Sequence, residues 1–108
     1  MTPIDELRQM LTDAGIPFES YKEGHNSYTL KYLRVRCKAD QYERNQIIYG
    51  RQKSGYGWKL DAIWQYGSYG RTEGLLELYG SMIEGDPITA TPKEAFEIIK
   101  ADWEKGKA

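Results

Sequence analysis

Cysteine and histidine are nearly absent from this chain, each occurring once, as Cys37 and His25. A lone cysteine excludes an internal disulfide and leaves no partner for a cysteine-based metal site, so Cys37 reads as a small apolar residue of a strand. The lone histidine stands between Gly24 and Asn26, with no serine or cysteine nucleophile placed beside it by any motif, and reads as an exposed turn residue. Apolar runs are short as well. None approaches the roughly 18 residues that cross a bilayer. The opening MTPIDELRQM carries acidic side chains and lacks the apolar centre of a signal peptide. The expectation is a cytoplasmic protein with no membrane association and no cofactor.

What is present suits a globular domain. Apolar residues make up 40% and charged residues 29% of 108 residues, which fits one domain over residues 1–108 with a single core. The formal net charge of −1 conceals a segregation. Residues 1–24 carry two basic and five acidic side chains, residues 25–60 eight and two, and residues 61–108 five and nine. A basic middle between acidic ends either marks an anion-binding face or pairs with the acidic helices of the same fold.

Two helices are legible from their caps. Thr2-Pro3-Ile4-Asp5 combines a capping threonine, a proline at the first helical position and an acid three residues on; Ile4, Leu7, Met10, Leu11 and Ala14 then share one face until Gly15 and Pro17. Thr91-Pro92-Lys93-Glu94 repeats the device, and Ala95, Phe96, Ile99 and Trp103 form the second apolar stripe, ahead of a charged tail from Glu104 to Ala108. Between the helices the signal is mostly strand: Ile16 to Lys22, Ser27 to Lys38 after the polar turn at residues 23–26, and Gln46 to Tyr49. Trp58, Leu60, Ala62, Trp64 and Tyr66 alternate with Lys59, Asp61, Ile63 and Gln65, the period of a strand with one buried face. Residues 71–82 fit either a short helix or an irregular segment, and Gly85-Asp86-Pro87 reads as a turn into the last helix. The predicted fold class is α+β, with an N-terminal helix, an antiparallel sheet of three to four strands and a C-terminal helix, both helices on one face of the sheet.

The stretch from Tyr49 to Gly80 holds seven of eleven glycines and five of nine tyrosines. Within it, WQYGSYGRTEGLLELYG (Trp64 to Gly80), followed by TPKEAFEII (Thr91 to Ile99), resembles small phage and prophage proteins of Gram-positive bacteria, which pair GSYG with GLLE ahead of a T-P-x-E-x-F helix start. The opening TPIDELRQMLTDAGIPFE is similar to the start of such proteins. The resemblance implies a viral or mobile-element origin and brings no assigned activity and no catalytic residues. The element order is also loosely similar to that of double-stranded-RNA-binding domains. Those domains set lysines at the start of the final helix, where this chain has Lys93 followed by Glu94 and Glu97, and two carboxylates there repel phosphate.

Three functional readings follow. A host or viral protein partner is the first: Tyr56 and Tyr69, with Arg51, Ser68, Arg71 and Glu73, supply aromatic and polar contact area on glycine-bearing loops. The alternative is a nucleic-acid-binding module in which Arg34, Arg36 and Lys38 on one strand face, with Lys31, Arg44, Arg51, Lys53 and Lys59 nearby, neutralise phosphates while Tyr56 or Trp58 stacks on a base. The third is a small enzyme acting on a sugar or nucleotide, with Asp61, Glu73 and Glu77 as carboxylates beside Tyr66 and Tyr69; surface acids are the plainer reading of these residues. The GxxxxGK[ST] spacing of a phosphate loop is missing from Gly50 to Gly57. The oligomeric expectation is a monomer or a homodimer through a sheet edge without a blocking proline.

Overall fold

The computed structural model describes residues 1–24 and 43–107. Helix α1 (Pro3–Asp13) starts where Thr2 Oγ1 accepts the Asp5 amide at 3.2 Å and donates to the Asp5 carboxylate at 2.7 Å. Helix α2 (Pro92–Lys105) has the reciprocal cap in full: Thr91 Oγ1 takes the Glu94 amide, and the Glu94 carboxylate takes the Thr91 amide. Those bonds hold the Asp5 and Glu94 carboxyls below the usual carboxylate range.

Among the described residues between the helices lie five antiparallel strands, each paired with the next in this order: β1 (Glu19–Gly24), β2 (Glu43–Arg51), β3 (Trp58–Ile63), β4 (Leu76–Tyr79) and β5 (Ile88–Ala90). Five strands, rather than three or four, follow from two short elements. β4 takes the segment that sequence left open between short helix and irregular chain, and β5 occupies what looked like a plain turn into α2. Leu76 and Leu78 alternate inward from β4, and pairing with β3 and β5 satisfies backbone groups that an isolated two-turn helix leaves open.

Both helices lie on one face of the sheet. Their stripes, Ile4, Leu7 and Leu11 from α1 and Ala95 and Ile99 from α2, meet Ile47, Tyr49, Leu60, Ala62, Leu76, Leu78 and Ala90 from the strands. Burying each large aliphatic side chain contributes roughly 1.5–3 kcal/mol.

Five strand boundaries differ from expectation: β1 runs on through Glu23 and Gly24, read as a turn, β2 runs on to Arg51, and three others have causes in the packing. β1 begins at Glu19 because Ile16 serves the helix end instead: its amide bonds the Leu11 carbonyl at 3.0 Å, its side chain enters the core, and Pro17 follows. β2 takes in Glu43, Arg44 and Asn45, residues that look too polar for a strand, and Asn45 is buried where Arg8 of α1 reaches it. β3 stops at Ile63 rather than Tyr66, since the Gln65–Ser68 turn closes there and leaves Tyr66 exposed. The Ser27–Lys38 strand, with Lys31, Arg34, Arg36, Cys37 and Lys38, lies outside the described residues, as does His25. At the β5 edge Pro87 stands at the strand entrance, a proline that the homodimer expectation did not count. Among the described residues no helix is long and apolar enough to cross a membrane.

Candidate functional site

The residues expected to bind a protein fall in two groups, at two ends of the sheet. Arg51 and Tyr56 sit in the β2–β3 hairpin, before β3 begins, whereas Ser68, Tyr69, Arg71 and Glu73 sit in the connection after β3 ends. β3 is six residues long, so roughly 17–20 Å of strand separates the two groups.

In the hairpin Arg51 is engaged within the fold. Its Nε donates to the Glu19 carboxylate across the sheet, its Nη1 reaches the Gly55 carbonyl, and its guanidinium lies 5.7 Å from the Trp58 ring centroid. The Arg51 hydrogen bond, with that of the Tyr21 hydroxyl, keeps the Glu19 carboxyl below its usual range. Tyr56 projects at 85% exposure, and Lys53 is exposed beside it. Of the other described members of the basic patch, Arg44 stacks 3.9 Å over the Tyr21 ring and Lys59 is bonded to Asp102 at 3.0 Å. These cations are matched to partners within the fold.

The β3–β4 connection is tied down by internal bonds and leaves two rings exposed, Tyr66 and, further out, Tyr69. Ser68 Oγ donates to the Gln65 carbonyl at 2.7 Å and accepts the Gln65 amide at 3.0 Å. Trp64 donates its indole N–H to the Arg71 carbonyl, and the Arg71 guanidinium covers the Trp64 ring at 4.5 Å. Arg71, Thr72 and Glu73 form a single 3-10 turn between Gly70 and Gly74. Gly70 has a φ of 79°, and a Cβ there would stand 2.8 Å from the Leu75 Cβ and 3.1 Å from the Thr89 Cγ2, so only glycine lets the loop seat on β5. Ser68 and Arg71 therefore build the loop and Tyr69 projects from it. The Tyr69 amide is fixed by the Glu77 carboxylate at 2.8 Å, while the side chain is 68% exposed.

No family model, curated protein or solved structure matches the chain.

Beside Tyr69 is a hollow of about 750 Å³, completed by Asp86, Pro87, Ile88 and Thr89. Ile88 is 41% exposed on β5, the outer strand of the sheet. Sequence reading missed the Asp86–Thr89 side of this surface because the turn was assigned only to lead into α2. The available signal was Ile88-Thr89, two β-branched residues after a proline.

The three acids have separate work. Asp61 is buried at 8% exposure rather than lying on the surface, because donors from two neighbouring strands and its own converge on it: Gln46 Nε2 at 2.6 Å, the Trp58 side chain and the Tyr79 amide. Burial, with a smaller push from the charge of Glu77, raises its carboxyl above the usual value despite those bonds. Glu77 holds the Tyr69 amide, and Glu73 accepts the Thr72 hydroxyl at 3.1 Å. Among the described residues no three His, Cys, Asp or Glu side chains group as a metal site.

Asp61 yields a pH prediction. A carboxyl raised by folding favours the native state fully below its unfolded value, and that contribution is lost as pH rises through the folded value. The thermal midpoint of the wild type should therefore gain on that of Asp61→Asn as pH falls from 7 to 4. A difference between the two that stays flat with pH, measured by circular dichroism melts, contradicts this account of Asp61.

Proposed function

We propose that the chain is a small phage or prophage accessory protein that acts by non-catalytic binding to a host or viral protein, and that the binding surface is the Tyr69 end of the sheet. The observation that carries the reading is Tyr69 itself: a large exposed ring on a loop whose backbone is tied down through Trp64, Ser68 and Glu77, above a hollow at a sheet edge. A ring carried on a tethered backbone leaves only its own side-chain torsions to order on binding. Asp86 in the hollow, with Glu84 close in sequence, favours a partner segment that is basic. Viral origin rests on the resemblance carried by Trp64 to Gly80 and Thr91 to Ile99, and it makes the host cytoplasm the place of action and a host defence system the process we assign.

The test is capture from host lysate with wild type and Tyr69→Ala in parallel. Loss of a central aromatic anchor typically costs about 2 kcal/mol, or roughly 30-fold in affinity. The partner should be retained by wild type and lost from Tyr69→Ala, with both proteins melting together. Equal recovery of the same partner by the two proteins, or no specific partner at all, rules the surface out.

A further inference from the structure

A second cavity, of about 310 Å³, opens at the other end of the sheet, between the β2–β3 pair and the last turn of α2. Pro17, Tyr49 and Trp103 give it flat apolar walls, and Lys59, Asp102 and Lys107 bring charge to it. Its volume sits at the small end of the ligand-pocket range, roughly 300–1,000 Å³, which suits a single-ring compound better than a nucleotide.

The polar groups define the chemistry. Asp102 accepts the Tyr49 hydroxyl at 2.6 Å and the Lys59 ammonium at 3.0 Å. The Tyr49 hydrogen bond first, and Lys59 second, hold the Asp102 carboxyl below its usual range; burial and that same carboxylate push the Tyr49 hydroxyl well above its own. The one negative charge of the cavity is thereby committed. Lys107 remains, its ammonium 5.0 Å from the centroid of the Trp103 ring, and Lys105 adds positive field at Asp102. The carbonyls of Asp102 and Glu104 at the helix end are taken by the Gly106 and Lys107 amides, so they do not face the cavity as bare acceptors. The Trp103 indole N–H is itself buried, so what Trp103 presents to the cavity is ring surface.

We propose that this cavity is a binding site for a small carboxylic acid with a flat apolar body. The ring lies against Tyr49, Trp103 and Pro17, and the carboxylate meets the surplus cation of Lys107. The mostly apolar wall and single surplus charge favour a monoanion over a phosphate. This site is independent of the Tyr69 surface, and failure of either leaves the other standing.

Titrating isotope-labelled protein with benzoate, benzylamine or inorganic phosphate at constant ionic strength tests the site, read at the Trp103 indole N–H resonance, which Trp103→Phe identifies. Benzoate should give a saturable shift of that resonance. Lys107→Gln, an exposed position that leaves the Tyr49–Asp102–Lys59 bonds intact, should weaken it by about fivefold, the worth of one charge pair at a half-open site. No saturation with benzoate, equal binding of benzylamine or of inorganic phosphate, or unchanged benzoate affinity in Lys107→Gln overturns the proposal.

Discussion

Gly80→Ala is expected to destabilise the domain by about 3–5 kcal/mol, a large part of the 5–15 kcal/mol that holds a typical domain together. Gly80 has a φ of 139°, which an L side chain rarely adopts. An added Cβ would stand 2.5 Å from the Lys59 carbonyl oxygen and 2.8 Å from the Leu60 Cα. Both are backbone atoms of β3, so no rotamer change gives relief. The close approach is required because the chain after β4 folds back on the start of β3, with the Ser81 amide on the Trp58 carbonyl at 3.1 Å and the Met82 amide on the Lys59 carbonyl at 2.9 Å. Backbone strain of about 1–3 kcal/mol adds to overpacking of similar size. The thermal midpoint should fall by roughly 12–24 °C. Gly55→Ala separates the two terms: its φ is 81° but its Cβ would meet nothing within 4 Å, so it should lose only about 1 kcal/mol. Equal loss in the two variants would show that the close packing at Gly80 contributes nothing.

Arg8→Ala is the second large effect, at about 2–4 kcal/mol. Arg8 bridges three elements from the inner side of α1: Nη1 to Asp5 at 2.9 Å, Nε to the Ser20 hydroxyl at 2.7 Å, and Nη2 to both the Tyr21 carbonyl at 3.0 Å and Asn45 Oδ1 at 2.7 Å. Its side chain is only 16% exposed and Asn45 is 5% exposed, so the bonds lie largely out of water, where charged hydrogen bonds contribute most and abandoned partners cost most. Truncation strands the Asn45 oxygen under the helix. Lysine lacks the planar fork that reaches β1 and β2 together, and Arg8→Lys should recover less than half of the loss. Urea unfolding measures both. A value for Arg8→Ala within about 0.5 kcal/mol of wild type would class Arg8 with ordinary surface residues.

The two helices, their caps and the inward stripes of Leu60 and Ala62 were settled by local chemistry: a threonine that bonds an amide three residues on, and a period that matches one buried face. The glycine-rich stretch also announced that its backbone is constrained. Which glycine is indispensable was not legible, since Gly55 and Gly80 differ in backbone angle and in what lies across from them, and neither is written in the neighbouring residues. Tyr49 and Tyr69 belong to the same composition, yet one is buried against Asp102 and the other stands out over β5: the register of β2 turns Tyr49 to the core, while Tyr69 lies off the strands on the loop that Gly70 seats against β5. Asp102 shows the same divide. Seven residues after Ala95 it falls on the buried stripe of α2, a sign that sequence carried, but only the sheet placed Tyr49 and Lys59 opposite it. The sequence by itself determined where the chain turns, where helices begin and which faces are apolar, because those depend on neighbours within a few residues. The tertiary structure alone decided the fourth and fifth strands, the burial of Asp61 and which tyrosines face solvent, because each depends on pairing and packing between segments distant in the chain.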